Sequence, residues 1–238
     1  MRTAEDARTL VLDDGRRILL DGVVVPQGFD RASLARSDTV AAQARRWLEK
    51  FKHQPVTLAY VRRADRHGRI PALVISRTAG LEASLQHDMV FQGLAFAAPF
   101  GLGTACAAEL FARERAAREA GRGLWADPDN AVLSADDPQA IRQALGRMAV
   151  VEGRVRSVRE SGGTIYVNFG RRWSQDFTVT IAKRNEGVFA SGGLPPKRLE
   201  RRQVRVRGWI EERGGPWIEA FDPEQFEIVG PQGVQTFR

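Results

Sequence analysis

The sequence predicts a mainly β protein with flanking helices, folded as two small β-barrels. Its 238 residues are enough for two domains that each bury a hydrophobic core. Short apolar and β-branched runs, bounded by Gly, Pro or Asp, recur along the chain in the pattern of strands. Hydrophobic residues make up 43% of the chain and charged residues 27%, which is typical of a globular rather than a disordered protein.

The first half of the chain combines strand hairpins with helices. Four strands are expected in two hairpins, at residues 9–12, 17–25, 56–61 and 70–76. Three helices are expected, at residues 39–52, 81–92 and 104–120. Ser37 and Asp38 are N-cap candidates for the first of these helices. This order of elements predicts a small barrel flanked by helices.

The second half of the chain is richer in strands. Six strands are expected, at residues 150–159, 164–169, 177–182, 204–210, 217–220 and 226–229. A non-strand insertion at 183–202 separates the third strand from the fourth, which is the strand count and spacing of the five-stranded Greek-key barrel called the OB-fold. The predicted domains are 1–127 and 147–238, joined by a linker with a short helix at 128–146.

The charge of the chain suits a polyanionic partner. The net charge is +7, and residues 147–238 contribute most of it, with 16 Lys and Arg against 11 Asp and Glu. The single Cys106 excludes an intramolecular disulfide, and the three scattered His lack partners at metal-ligand spacing. No apolar run reaches the roughly 18 residues that a membrane span needs, and the first residues contain no secretory signal.

Several short motifs in the first half occur in the order and spacing of one known family. Residues 22–27 read GVVVPQ, residues 65–69 read DRHGR, and residues 90–95 read VFQGLA. They resemble the patterns R-L-x-G-I-D-A-P-E, D-x-Y-G-R and L-V-x-x-G-L-A of the staphylococcal nuclease-like, or thermonuclease, family. Glu109, Glu114, Ala117 and Gly121 to Trp125 resemble its closing A-E-x-x-A-R-x-x-x-x-G-L-W. The resemblance covers roughly residues 8–127 and implies an OB-type barrel.

The resemblance implies a phosphodiesterase in which two Asp hold calcium, a Glu assists an attacking water and two Arg hold the phosphate. The matching positions of this sequence carry other residues. Arg8 and Val24 stand in place of the two Asp, Leu19 in place of one Arg, and Gln27 in place of the Glu. Only Arg69 is retained. Because Val cannot bind calcium and Gln cannot take a proton from water, no catalytic residue, metal or cofactor is expected.

Two features of the N-terminal region leave alternatives open. A register shift of two residues would bring Arg17 to the position of Leu19, but Pro26 fixes the alignment and the shift would need a bulge. The residues before Arg8 are too few and too polar for the usual first strand of the barrel. The sequence therefore predicts either an incomplete barrel or a natural start further upstream.

Basic and aromatic residues are interleaved in the second domain, as in grooves that bind single-stranded nucleic acid. The candidate binding residues are Arg69, Tyr166, Phe169, Arg171, Arg172, Trp173, Lys183, Arg184, Arg205 and Arg207. Strand alternation predicts that Arg205 and Arg207 lie on the face opposite the neighbouring valines. A barrel core also needs aromatic residues, so Tyr166 is a core candidate as well. The loop at 170–173 is the preferred candidate, because a Trp between arginines in a loop has little reason to be core.

The leading hypothesis is a nucleic-acid-binding protein with a degenerate thermonuclease-like domain and a basic OB-like module. Its expected partner is single-stranded DNA or RNA, and no membrane is expected. Similar C-terminal segments follow thermonuclease-like domains in some bacterial proteins, and members of the family are often exported. Two alternatives remain: an active Ca²⁺-dependent nuclease, and a protein-interaction scaffold that shows no salt-sensitive affinity for oligonucleotides.

Overall fold

The computed structural model describes residues 1–26, 39–78, 81–172, 174–230 and 233–234, which form two compact units. The first unit comprises residues 1–102 and 106–127, and the second comprises residues 103–105 and those described from 128 onward. The fold is mainly β with helices beside the sheets, as predicted. Among the described residues, no helix is long and apolar enough to cross a membrane.

The first unit is built on one twisted sheet. Its strands are β1 (Thr3–Ala4), β2 (Thr9–Val11), β3 (Arg17–Leu20), β4 (Val23–Val24), β5 (Val56–Ala59), β6 (Arg69–Thr78), β7 (Leu81–Ser84) and β8 (Phe96–Ala97). The helices in this part of the chain are α1 (Val40–Glu49), α2 (Leu85–Phe91) and α3 (Thr104–Glu119). The sheet order is β1-β2-β3-β6-β5, with β7 paired to β6 and a separate β4–β8 pair.

The pairing of β3 with β6 is parallel, whereas β3 is antiparallel to β2. Ile18 and Leu20 are fully buried on the inner face of β3, and Arg17 and Leu19 lie on the outer face. The hydroxyl of Thr39 caps α1 by accepting a hydrogen bond from the amide of Ala42 at 3.2 Å. The proposed caps Ser37 and Asp38 lie outside the described residues.

Two segments of the first unit contain strands that the sequence did not predict, β7 and β1. The helix expected at 81–92 is wrong at its start, because the first four residues form β7 and pair with β6. The helix begins only after Ser84, whose hydroxyl accepts a hydrogen bond from the amide of His87 at 3.4 Å. At the N-terminus, β1 is two residues long and pairs with β2, for example Thr3 with Val11.

The second unit contains two five-stranded sheets. Its strands are β9 (Leu133–Ser134), β10 (Met148–Arg154), β11 (Ser157–Ser161), β12 (Thr164–Asn168), β13 (Thr178–Ala182), β14 (Gln203–Trp209), β15 (Glu211–Arg213), β16 (Gly215–Ala220), β17 (Phe226–Gly230) and β18 (Gly233–Val234). Helix α4 (Pro138–Gln143) lies between β9 and β10, and α5 (Glu186–Ser191) lies between β13 and β14. The sheet orders are β18-β17-β14-β10-β9 and β11-β12-β13-β16-β15.

The strand expected at 150–159 is broken into β10 and β11, which belong to different sheets. The break occurs because the backbone of Val155 bonds to Arg201 and Arg202 rather than to the neighbouring strand. The side chain of Val155 is buried, so the chain bends around the core. The pair β13–β16 is parallel, and β11, β12 and β13 form an antiparallel meander.

Candidate functional site

Arg8 lies where the family resemblance places a metal-binding Asp. Its backbone carbonyl accepts a hydrogen bond from the amide of Leu20 at 2.8 Å, which fixes it against the end of β3. Its guanidinium is half-buried and donates from Nη1 to the carbonyl of Val23 at 3.2 Å. Burial, and then the nearby charge of Arg69, lower the pKa of Arg8. The guanidinium of Arg8 therefore places a positive charge at this position.

Arg69 is held by the turn that precedes β6. Its Nε and Nη2 contact Oδ2 of Asp65 at 2.9 and 2.8 Å, and the amides of His67 and Arg69 donate to Oδ1 of Asp65 at 2.9 Å. These contacts, with the backbone hydrogen bond from Arg69 the largest, lower the pKa of Asp65 to about 2. The retained Arg69 is thus ion-paired and positioned close to Arg8.

Leu19 and Val24 supply no polar group to the site. Leu19 is half-buried on the outer face of β3, where it pairs with Thr9 on β2 and Pro71 on β6. Val24 is half-buried in β4 and pairs with Phe96. Neither side chain can bind a cation or a phosphate, so these two positions carry packing contacts only.

Arg17 lies on the same face of β3 as Leu19, but its side chain is already bound. It forms an ion pair with Glu5, whose Oε2 lies 2.7 Å from Nε, and it donates from Nη1 to the carbonyl of His67 at 2.9 Å. The strand pairs continuously from Arg17 to Leu20 with its parallel partner β6. The register that aligns Leu19 with the family's strand Arg therefore needs no bulge.

Asp21, one of the acidic residues whose charge acts on Arg8, is paired with an arginine. Nε of Arg62 lies 3.0 Å from Oδ2 of Asp21, and burial raises the pKa of Asp21 despite that contact. Among the described residues, no three Asp, Glu, His or Cys side chains are grouped closely enough to hold a metal. Calcium requires several oxygen ligands, and Arg8, Leu19 and Val24 supply none from their side chains. Gln27 lies outside the described residues.

The two glycine motifs of the first unit pack against each other, backbone to backbone. The amide of Leu124 donates to the carbonyl of Gly93 at 2.8 Å. A Cβ on Gly93 would lie 2.0 Å from the carbonyl oxygen of Arg122, and one on Gly123 would lie 2.2 Å from that of Gly93. Only glycine permits this approach. Trp125 follows immediately and stacks edge-on against another ring of the core.

The loop after β12 presents two of the predicted nucleic-acid contacts. Arg171 and Arg172 are exposed, and the amide of Arg172 donates to Oδ2 of Asp176 at 2.7 Å, which holds the loop closed. Tyr166 is half-exposed on β12, opposite Arg159 of β11. Trp173 lies outside the described residues. The predicted Arg184 is also exposed, at the far end of β13.

Two predicted contacts have side chains that are already engaged. Phe169 is only 5% exposed and packs against Phe177 with 5.0 Å between ring centroids, so it belongs to the core and cannot stack on a base. Lys183 lies between two carboxylates, at 2.6 Å from Glu160 and 2.9 Å from Glu186. These acids raise the pKa of Lys183 and neutralise its field.

The prediction that Arg205 and Arg207 form part of a binding surface does not fit their environment. Both extend from β14 on the face opposite the valines, as alternation predicts, but glutamates of neighbouring strands meet them there. Arg207 is fully buried beside Glu227 at 3.1 Å, and Arg205 contacts both Glu227 and Glu152, the latter at 2.6 Å. Arg207 is buried and Arg205 is paired with two carboxylates, so neither guanidinium is available to a ligand.

The first unit thus has a parallel β3–β6 pair with flanking helices, and it is a mainly β domain of the OB-fold class. Residues 17–127 match the family described as Staphylococcal nuclease homologue, and this part of the chain is a staphylococcal nuclease-like domain. Proteins with this domain generally act on nucleic acids. No curated protein matches the chain.

Proposed function

We propose that this protein binds single-stranded nucleic acid through its second unit and does not hydrolyse it. The observation that carries the proposal is the loop after β12, where Arg171 and Arg172 are exposed and form no ion pair with any described residue. Guanidinium groups bind phosphate oxygens through paired N–H donors. The half-exposed Tyr166, with Arg159 opposite, offers a ring on which a base can stack.

The strand pairings of the second unit support its assignment as an OB-like module. A first strand broken between two sheets, an antiparallel meander, a helix before the fourth strand and the parallel β13–β16 pair together follow the connectivity of that barrel. Such barrels bind oligonucleotides on the face of their second and third strands, which are β12 and β13 here. Tyr166 lies on the first of these strands, and the two loop arginines lie between them.

The residues of the first unit favour phosphate affinity over hydrolysis. A guanidinium at the position of Arg8 repels calcium and attracts an anion, and Arg69 adds a second positive group nearby. Hydrolysis would need an activated water, for which the side chains of Arg8, Leu19 and Val24 supply neither an oxygen ligand for a metal nor a carboxylate. The nuclease alternative therefore depends on residues other than those that match the family site.

Fluorescence anisotropy of an end-labelled single-stranded oligonucleotide tests the proposal. The full chain is followed over time with calcium and with a chelator, at low and at moderate salt. We expect a stable rise of equal size with and without calcium, and weaker binding as salt increases, because binding releases counterions. The variant Arg171→Ala/Arg172→Ala should bind more weakly, whereas Lys50→Ala/Lys52→Ala, which loses the same charge from the turn after α1, should not.

Each remaining outcome contradicts part of the proposal. An anisotropy that falls below that of the free probe only when calcium is present would mean cleavage, and would establish the nuclease alternative. An anisotropy that does not change at any salt concentration would remove nucleic acid as the partner and favour the interaction scaffold. Equal weakening by both double variants would mean that total charge, not the loop, determines affinity.

A further inference from the structure

We infer that four arginines outside that loop, Arg154, Arg156, Arg201 and Arg202, form a second contact surface for the phosphodiester backbone of the bound strand. We name this set the arginine edge. The inference rests on the proposed function, and it extends the binding surface to two segments in which the sequence pattern indicated no binding residue. It concerns backbone phosphates, and therefore a contact that does not depend on base sequence.

Backbone hydrogen bonds bring the two segments of the arginine edge together. The amide of Val155 donates to the carbonyl of Arg202 at 2.9 Å, and the amide of Arg201 donates to the carbonyl of Val155 at 2.9 Å. Val155 is buried, whereas Arg154 and Arg156 on either side of it are exposed. Arg201 and Arg202 are exposed as well. The break between β10 and β11 therefore carries four guanidinium groups within two adjoining segments.

The arginine edge adjoins the loop that carries the first two arginines. The amide of Arg156 donates to the carbonyl of Asn168, the last residue of β12, at 2.8 Å. The ring of Phe169 lies 3.0 Å from where a Cβ on Gly153 would be. The chain that leaves β12 toward Arg171 is thus packed against the β10–β11 break, so one strand of nucleic acid can contact the edge and the loop together.

The acids of this region are already bound, which leaves the edge strongly positive. Glu152 is paired with Arg205 at 2.6 Å, and Glu200 with Lys197 at 2.8 Å. Asp176 accepts the amide hydrogen bond that closes the loop. In the described part of the chain, none of the four edge arginines has an acidic oxygen within 4.0 Å. Their charge is therefore available for phosphates.

The chemistry of the arginine edge fits a phosphate backbone better than bases or an apolar protein surface. The apolar side chains beside these arginines, Val155 and Phe169, are both buried. The edge thus offers charge and N–H donors with no exposed ring for stacking from these positions. Several exposed guanidinium groups on adjoining segments suit the repeated anionic charges of a nucleic-acid strand.

The salt dependence of oligonucleotide binding tests the inference. The variant Arg154→Gln/Arg202→Gln is compared with Arg171→Gln/Arg172→Gln and with the control Lys50→Gln/Lys52→Gln. The slope of log K against log salt is negative, and each lost phosphate contact on a single strand reduces its magnitude by about 0.7. The edge variant should therefore reduce the magnitude of the slope by about 1.4. We expect the effect of the edge variant on this slope to be the same for oligonucleotides that differ only in sequence. The lysine control should have the same slope as the unaltered protein.

The outcomes separate the inference from the proposed function. If the loop variant reduces the magnitude of the slope and the edge variant has the same slope as the unaltered protein, the arginine edge is not a contact surface, although the proposed function stands. If the unaltered protein shows no salt-sensitive binding at all, both fail.

A second measurement uses the unaltered protein, so that it does not depend on how the variants fold. Phenylglyoxal modifies accessible arginines, and mass spectrometry of peptides that contain residues 154–156 and 201–202 gives the rate at each segment. We expect the bound oligonucleotide to slow modification of both segments. Equal rates with and without oligonucleotide would overturn the inference.

Discussion

Replacing Gly93 with Ala should destabilise the first unit severely. A left-handed backbone, φ +68° here, costs an L-residue about 1–2 kcal/mol. The added Cβ would lie 2.0 Å from the carbonyl oxygen of Arg122 and 2.6 Å from its carbon, so the two backbones must separate. Separation adds about 1–3 kcal/mol of strain and weakens the Leu124 hydrogen bond, worth about 0.5–1.5 kcal/mol, for a total of about 3–6 kcal/mol.

Gly121 provides a matched control for this substitution. Its φ is +59°, but a Cβ placed there would meet no atom within 4 Å. Gly121→Ala should therefore cost only the conformational strain of about 1–2 kcal/mol. Urea unfolding of the full chain, followed by hydrogen exchange of peptides from both units, would measure the loss and locate it. Equal losses for Gly93→Ala and Gly121→Ala would refute the close-approach argument, because the two sites share the left-handed backbone and differ in their neighbours.

Four further substitutions test other parts of the structure. Phe169→Ala should lower stability by about 3–5 kcal/mol in urea, because it empties a core site, whereas Tyr166→Ala should lower oligonucleotide affinity with stability nearly unchanged. Arg207→Ala should cost about 3–5 kcal/mol in the same assay, because it leaves Glu227 buried without this partner. Burial lowers the pKa of His87 in the folded protein below the unfolded value of about 6.5. The contribution of neutral His87 to stability is therefore present at neutral pH, and it is lost as the pH falls from about 6.5 towards the folded pKa. Urea midpoints of His87→Gln should therefore fall less on acidification than those of the unaltered protein.

The nuclease and binding hypotheses differ in what they require of a few positions. In the family pattern, hydrolysis requires oxygen ligands at the positions of Arg8 and Val24, whose side chains are a cation and an apolar group. Binding requires only exposed cations, which the second unit has in its β12–β13 loop and at the arginine edge. A calcium titration of oligonucleotide binding thus distinguishes the two hypotheses directly.

Several local features of this protein follow from residues that are close together in the sequence. The motif at 65–69 encodes a turn in which Asp65 accepts backbone amides and pairs with Arg69 four residues later. Period-two alternation correctly placed Arg205 and Arg207 on the face of β14 opposite Val204 and Val206. Glycines at the ends of helices and in tight turns marked boundaries that the structure keeps, such as the turn between β11 and β12. Each of these features depends only on residues that are a few positions apart, so it can be predicted from the local sequence.

Which basic residues are available to a ligand depends on contacts between strands that are distant in sequence. Alternation correctly predicted that Arg205 and Arg207 lie on one face of β14. On that face they form ion pairs with Glu152 of β10 and Glu227 of β17. Conversely, the arginine edge joins two segments that are far apart in sequence. The availability of a charged group depends on the acids within about 4 Å of it and on its burial, and both follow from strand pairing at long range. Residue type and spacing therefore predicted a basic module, while the positions of its free charges came from the fold.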